Sequence, residues 1–246
     1  MANIVYGIHP IIETLRSGTI VDKLIVQNNI SPITLKKIKE EIRLSKQQVH
    51  IQYAPLEKLN ALTKNANHQG IVAYTALVEY KEVEEILTEV EDKGKQPLFV
   101  FLDHITDVRN LGAIARTAEC AGVDCLIIPS EHSAQINMDA IKTSAGALLR
   151  IPVCKSQNTK TTLNILKQSN IKLVAASEKT NAIYYDCNMK CPICLIMGAE
   201  DRGVSKDSLK LADEIVKIPM EGEIESLNVS VAAGILIYET IRQRNN

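Results

Sequence analysis

From Pro97 onward, short apolar runs alternate with helical patterns, and this alternation constrains the fold more than any other feature of the sequence. The runs are apolar at nearly every position, whereas the segments between them repeat apolar residues at helical spacing. Strands that are apolar on both sides must be covered on both faces, which favours a parallel sheet with helices on either side. We therefore expect an α/β fold with strands at 98–102, 125–128, 173–176, 194–197 and 215–218, and helices at 111–121, 137–148, 161–168, 206–211 and 229–238.

The first part of the chain predicts a smaller α/β unit. Residues 1–78 should form a domain of its own, 79–96 a linker that runs into a surface helix, and 97–246 the large domain. The small unit has nine basic and five acidic residues, whereas the remainder has 19 basic and 24 acidic residues. A basic module beside an acidic one permits RNA contact by the first, although a solvated helix face at 36–46 would give the same count. The patterns predict helices at 9–15, 34–46 and 56–62, and strands at 21–27, 49–53 and 70–74.

Composition excludes several classes. No apolar run approaches 18 residues, so we expect no transmembrane helix. The N-terminus lacks a basic segment followed by a long apolar one, so we expect no signal peptide and place the protein in the cytoplasm. Cys191 and Cys194 have the spacing of half a zinc site, but no second pair completes it, and the five histidines lack metal-ligand spacing. We predict no metal, and reduced cysteines that are buried or lie at strand edges.

Polar clusters follow three of the predicted strands, where parallel sheets bind ligands. In the first, Asn110 is a plausible N-cap, and Gly112 allows close approach of a backbone or ligand. Arg116 would lie in the second turn of the helix, near the site. It could equally be a surface residue paired with Glu119.

The second and third clusters follow the last two strands. Gly198, Glu200 and Gly203 predict a tight loop whose amides face a ligand, although a plain turn would fit as well. Ser226, Asn228 and Ser230 precede a helix that is apolar on nearly every side. A helix cap needs one polar residue, not three, so this cluster predicts a site. No Gly-rich dinucleotide motif or hydrolase nucleophile motif is present.

Together these clusters resemble the three ordered motifs of the SpoU (TrmH-like) RNA methyltransferases. The motif residues are Asn110-Leu-Gly-x-x-x-Arg116, Met197-Gly-Ala-Glu-x-x-Gly203, and Ile218-Pro-Met with Ser226-Leu-Asn-Val-Ser230. The ends of the first segment, Val5-Tyr-Gly-Ile-His-Pro-Ile-Ile-Glu and His68-Gln-Gly-Ile-Val, resemble the family's small substrate-binding domain, which is similar to the ribosomal L30e/L7Ae fold. Asp201 stands where the family commonly has glycine.

The resemblance implies a C-terminal trefoil knot, which is a rare exception among folds. It also implies a homodimer with the active site at its interface, and S-adenosylmethionine as cofactor. Backbone groups of Gly198, Ile218 and Leu227 would bind the cofactor, with Met197 and Met220 beside them.

The resemblance further implies methyl transfer to a ribose 2′-hydroxyl of structured RNA. Arg116 would activate the hydroxyl, either as a strongly perturbed base or by positioning the RNA phosphate while another group takes the proton. Asn110 would orient Arg116 or the ribose, and Glu200 would orient the arginine or shape the site. Ser226 and Asn228 would hold the hydroxyl and phosphate.

The preferred substrate is a guanosine in large-subunit rRNA, because the small N-terminal module and the Ser226–Ser230 stretch are most similar to that branch of the family. The alternatives are a transfer RNA methyltransferase, an antibiotic-resistance rRNA methyltransferase, and a non-catalytic RNA-binding protein of ribosome assembly.

Overall fold

The computed structural model describes residues 4–246 of the chain, which divide into a first unit up to Glu79 and a second unit from Tyr80 to Asn246. Across this described range, none of the helices combines the length and the apolar character needed to span a bilayer.

The first unit is a four-stranded sheet with helices on both faces. Its strand order is β1-β4-β2-β3, with β2 and β3 parallel and β4 antiparallel to both β1 and β2. Leu24 and Ile38 are fully buried in one apolar cluster, while Ile25 and Leu59 belong to a second cluster. Successive residues of β2 therefore pack on opposite faces of the sheet. The elements are β1 (Ile4–Tyr6), α1 (Ile8–Arg16), β2 (Val21–Gln27), α2 (Pro32–Leu44), β3 (His50–Ala54), α3 (Leu56–Thr63) and β4 (Ile71–Thr75).

The second unit is a seven-stranded parallel sheet with the order β11-β9-β10-β6-β7-β8-β5. The helices are needed because parallel neighbours must be joined by crossover connections. The elements are β5 (Tyr80–Lys81), α4 (Val83–Asp92), β6 (Leu98–Asp103), α5 (Val108–Cys120), β7 (Cys125–Pro129), α6 (Met138–Thr143), β8 (Val153–Ser156), α7 (Thr159–Gln168), β9 (Lys172–Ala176), β10 (Ile193–Gly198), α8 (Lys206–Leu211), β11 (Glu214–Val216) and α9 (Val229–Arg244), with 3₁₀ turns at Ala147–Leu149 and Tyr184–Asp186.

Both faces of this sheet are buried, as the apolar strands predict. Phe99 and Phe101 of β6 pack in one cluster with residues of α4 and α7. Val100, between them, is also fully buried and points to the opposite face. Helix α5 packs against α6 and α9, and α9 also contacts β10. The α/β class and the parallel sheet predicted from the sequence are confirmed.

Residues 79–96 are expected as a linker and surface helix, but all of them from Tyr80 onward belong to the second unit. Strand β5 pairs with β8 at the sheet edge, and the apolar stripe of α4 is buried against the core. Four apolar residues at helical spacing outweigh the charged composition of this segment because they pack into the apolar cluster that contains Phe99 and Phe101.

Other differences have local causes. The helix expected over 137–148 is interrupted, because Ala145 and Gly146 adopt positive φ angles and a separate 3₁₀ turn follows. The strand expected at 215–218 ends at Val216, since its partner β9 ends at Ala176. The strands β1, β5 and β8 are short and depend on pairing with distant segments, so the sequence patterns did not indicate them.

Candidate functional site

A cavity of about 260 Å³ lies at the carboxyl ends of β9, β10 and β11. Its position follows from the parallel sheet, whose strands all end at this edge. The wall includes every residue that the sequence assigned to cofactor binding and two of those assigned to catalysis, Glu200 and Ser226. The apolar residues and glycine in the wall include Met197, Gly198, Ile218, Met220 and Leu227. The polar and charged residues in the wall include Glu178, Lys179, Glu200, Lys217, Glu225 and Ser226.

Gly198 allows the loop after β10 to fold back on itself. A Cβ at this position would lie 2.1 Å from the carbonyl carbon of Gly203 and from the amide nitrogen of Val204. The loop is closed by Gly203, whose amide donates to the Ala199 carbonyl at 2.8 Å. The close approach of the loop's own backbone therefore requires glycine at position 198. The sequence alone predicts a different reason, namely that the loop amides face a ligand.

Asp201, the departure from the family pattern, lies on this loop and is exposed. Its carboxylate accepts a hydrogen bond from Arg202 at 3.0 Å. That guanidinium lowers the pKa of Asp201 below its usual value. The side chain thus remains charged at neutral pH and contributes to the wall of the cavity.

One side chain, Asn228, links the three polar clusters. Its Nδ2 donates to Asn110 Oδ1 at 3.0 Å and to Glu200 Oε1 at 2.5 Å. Its Oδ1 accepts from the amide and the hydroxyl of Ser230, which makes Asn228 the N-cap of α9. The same residue therefore caps a helix and joins groups that are 118 and 28 positions away.

Asn110 is not the N-cap of its helix, as the sequence had suggested. Helix α5 begins at Val108, and Asp107 caps it by accepting from the amides of Arg109 and Asn110. The prediction was displaced by three residues because Asp107 is itself a good cap. Asn110 instead lies buried in the first turn, where its amide reaches Asn228.

Arg116 lies on the exposed side of α5 and does not line the cavity. It makes no hydrogen bond or ion pair with any residue in the range 4–246. Glu119, the alternative partner considered from the sequence, faces Arg150 at 4.0 Å. The guanidinium is therefore free to contact a group from outside the chain.

Asp103 lies at the carboxyl end of β6, outside the three polar clusters that the sequence predicts to form the site. Its carboxylate is fully buried and accepts from the Ser205 amide at 2.8 Å and from His104 Nδ1 at 2.6 Å. It thereby fixes the segment that follows the Gly198 loop. An acidic residue directly after an apolar strand is the signal that the sequence offers here, and an exposed acid at a strand end gives the same signal.

The cysteines differ in their exposure, since Cys125, Cys154, Cys187 and Cys194 are buried whereas Cys120 is exposed. All six are free, and no cluster of three potential metal ligands occurs in this range. Burial raises the pKa of Cys154 to about 12, and the pKa of Cys194 is also raised by burial. These thiols remain protonated and serve as apolar packing groups.

Two families match the chain along its length. Residues 97–238 match the SpoU rRNA methylase family, and residues 4–81 match the domain described as RNA 2′-O ribose methyltransferase substrate binding. The boundary between the two matches lies close to the division between the structural units at Glu79 and Tyr80.

Relatives of nearly the same length are also found. The chain is 35% identical over 243 residues to YacO of Bacillus subtilis, assigned to the TrmH family of tRNA/rRNA methyltransferases, and the match covers 98% of this chain and 96% of that protein. It is 34% identical over 257 residues to the 23S rRNA (guanosine-2′-O-)-methyltransferase RlmB of Photorhabdus laumondii, with both chains fully covered. The crystal structure of the SpoU methyltransferase AviRb from Streptomyces viridochromogenes, in complex with AdoMet, has a TM-score of 0.63 at 24% identity and covers 98% of this chain and 90% of that one, which shows a shared fold.

Proposed function

This chain belongs to the SpoU rRNA methylase family, and we propose that it transfers a methyl group from S-adenosylmethionine to the ribose 2′-hydroxyl of a guanosine in large-subunit rRNA. The observation that carries the proposal is the Asn228 side chain, which brings the three motif clusters of the family together through hydrogen bonds. The choice of rRNA guanosine is supported by the match over the whole length of RlmB, whose own substrate is a guanosine of 23S rRNA.

The cavity fits the proposed cofactor in its chemistry. Met197, Met220 and Leu227 offer apolar surface for an adenine ring, while Glu178 and Glu225 offer negative charge for the cationic sulfonium and ammonium groups. Backbone groups at Gly198 and in the 218–227 segment would hold it. When bound, the cofactor supplies an electrophilic methyl carbon.

The polar groups beside the cavity would hold the nucleotide. A ribose 2′-hydroxyl is a weak nucleophile near neutral pH, so it needs polarisation and accurate placement. Asn110 and Glu200 are held in fixed orientations by Asn228, and Ser226 contributes a hydroxyl at the cavity wall. These neutral and acidic groups place the ribose, while a cation is needed for the phosphate.

We assign that cation to Arg116. It is exposed and unpaired within residues 4–246, so it is available to hold the RNA phosphate and to stabilise charge that develops on the 2′-oxygen. Of the two roles considered from the sequence, positioning is thus favoured over proton abstraction.

The first unit would bind the RNA substrate. Its α2 helix presents Lys36, Lys37 and Lys39, all exposed, whereas Arg43 is neutralised by Glu40. Contacts of these lysines with phosphates would make binding salt-dependent. Replacing all three with glutamine should weaken RNA binding and flatten the slope of log affinity against log salt by up to about two units. An unchanged slope would contradict this role.

Three further features of the family belong to the proposal. The chain after β11 returns past β9 to place α9 against α5 and β10, a course that supports a trefoil knot in the C-terminal part. Val231 and Tyr238 of α9 are each 51% exposed, which supports a homodimer that covers them. The enzyme would work in the cytoplasm, where ribosomal RNA is modified.

The test is methyl transfer from tritiated S-adenosylmethionine to purified RNA. Large-subunit rRNA from cells that lack the gene should accept label at one guanosine ribose, located by 2′-O-methyl mapping, whereas rRNA from wild-type cells should accept little. Label in transfer RNA alone would refute the rRNA assignment. RNA binding without transfer to any RNA would favour an assembly protein.

The assignment of Arg116 is tested with the variant Arg116→Ala. This variant should lose methyl transfer by at least about 100-fold while binding the cofactor within a few-fold of wild type. Arg116→Lys retains the charge but not the planar fork, so it should recover only part of the rate. Turnover near wild type in Arg116→Ala would contradict the assignment.

A further inference from the structure

We propose that Ser230 is a positioning residue that acts through Asn228 to fix the Asn110 amide as a hydrogen-bond donor to the RNA. The inference rests on the proposed function and adds to it a residue that does not touch the substrate. It also states that the Asn110 amide, which would touch the substrate, donates a hydrogen bond to the RNA and does not accept one.

The first step is the contact between Ser230 and Asn228. The Ser230 amide and hydroxyl donate to Asn228 Oδ1 at 2.9 and 2.5 Å. Two donors on one oxygen decide which end of the Asn228 amide faces α9. The hydroxyl is the only one of the two that a side-chain substitution can remove.

The second step is the contact between Asn228 and its two acceptors. Because Oδ1 faces Ser230, the Nδ2 group must face Asn110 Oδ1 and Glu200 Oε1, at 3.0 and 2.5 Å. A flipped amide would place its oxygen against both of these oxygens, and a carboxylate oxygen can only accept. The orientation set at Ser230 is thereby passed on.

The third step concerns the free end of Asn110. Its Oδ1 accepts from Asn228, so its Nδ2 is the end that remains available. Asn110 is only 9% exposed, yet Nδ2 makes no hydrogen bond within residues 4–246 and is not sealed from solvent. An N–H donor at this place suits an oxygen of the RNA ribose or phosphate, and it would repel a donor.

The chain contains a matched control for the first step. At the start of α7, Thr161 donates its amide at 3.0 Å and its hydroxyl at 3.3 Å to Oδ1 of Asn158, which caps that helix. Thr161→Ala therefore removes the same kind of bond from a cap that has no contact with the site. Ser230→Thr retains the hydroxyl and serves as the conservative variant.

Steady-state methyl transfer is then measured on rRNA from cells that lack the gene. Ser230→Ala should lower kcat/KM for RNA about 5- to 10-fold, as expected for loss of one orienting hydrogen bond, with cofactor affinity unchanged. Ser230→Thr should return to within about twofold of wild type, and Thr161→Ala should match wild type. Equal activities of Ser230→Ala and Thr161→Ala would overturn the role of Ser230.

A second pair of variants tests the polarity. Asn110→Asp retains the contact with Asn228, so a purely structural role predicts that it is milder than Asn110→Ala. A donor role predicts the reverse, because a carboxylate would repel the RNA oxygen. Activity of Asn110→Asp above that of Asn110→Ala would overturn the donor assignment. Failure of the wild-type enzyme on every RNA would instead refute the proposed function.

Discussion

Gly198→Ala should damage both the stability of the second unit and the cavity that we propose for the cofactor. The new Cβ would lie 2.1 Å from the Gly203 carbonyl carbon, whereas an ordinary contact begins at 3.4 Å. The obstacle is backbone, so the loop must move by about 1.3 Å, the difference between these two distances. Glu200 is carried on this loop, and its 2.5 Å bond to Asn228 would not survive such a shift.

The cost has two parts. Overpacking a well-filled position costs about 1–3 kcal/mol. Loss of a hydrogen bond to a charged group adds about 1.5 kcal/mol, the low end of its range because Glu200 is exposed. We therefore expect a loss of about 3 kcal/mol in the free energy of unfolding, which lowers the melting temperature by about 6–12 °C for a chain of this size.

The assay combines thermal unfolding with calorimetric titration of S-adenosylmethionine. Cofactor affinity should fall at least about tenfold, because the displaced loop forms part of the cavity wall. Gly222→Ala is the control, since a Cβ there has open space around it. A melting temperature and affinity for Gly198→Ala equal to those of Gly222→Ala would refute the reasoning.

Three other outcomes are expected. Arg244 donates hydrogen bonds to the carbonyls of Gln96, Pro97 and Cys191. In urea titrations, Arg244→Ala should therefore lower the free energy of unfolding by about 3 kcal/mol. A decrease no larger than that caused by Arg202→Ala, at an exposed position, would argue against this role. In thiol titration of the native protein at pH 8, the exposed Cys120 should react first, and Cys120→Ser should lack that phase. A second thiol that reacts equally fast would contradict the burial of the other cysteines. Light scattering should give twice the chain mass of 27.2 kDa, and Tyr238→Glu should give the single mass; a monomeric wild type would refute the dimer.

The sequence was sufficient to predict five of the seven strands of the large sheet, because the information for these strands is local. Phe99 to Leu102 is apolar at every position, and such a short run favours a strand buried on both faces over a helix segment, because helices are longer. The position of the site followed from the same pattern, since parallel strands end at one edge. The class of protein followed from three motifs in order, which the family matches support.

What the sequence could not provide depends on contacts between distant residues. Asn228 and Asn110 are 118 positions apart, and no periodicity indicates that their amides meet. The buried carboxylate of Asp103 meets the Ser205 amide 102 positions away, so it could not be told from an exposed acid at a strand end. The direction in which each amide points is likewise fixed only by the assembled network.

The dual use of Asn228 has a consequence for how this enzyme can evolve. Its oxygen caps the final helix, and its nitrogen holds Asn110 and Glu200, the groups proposed to place the ribose. Under the proposed function, one side chain therefore serves both folding and chemistry. A lineage that abandons methyl transfer therefore gains no freedom at this position, because the helix still needs its cap. Descendants that have lost activity should keep an asparagine or aspartate here long after Arg116 and Glu200 have drifted, and the asparagine alone is a poor marker of an active enzyme.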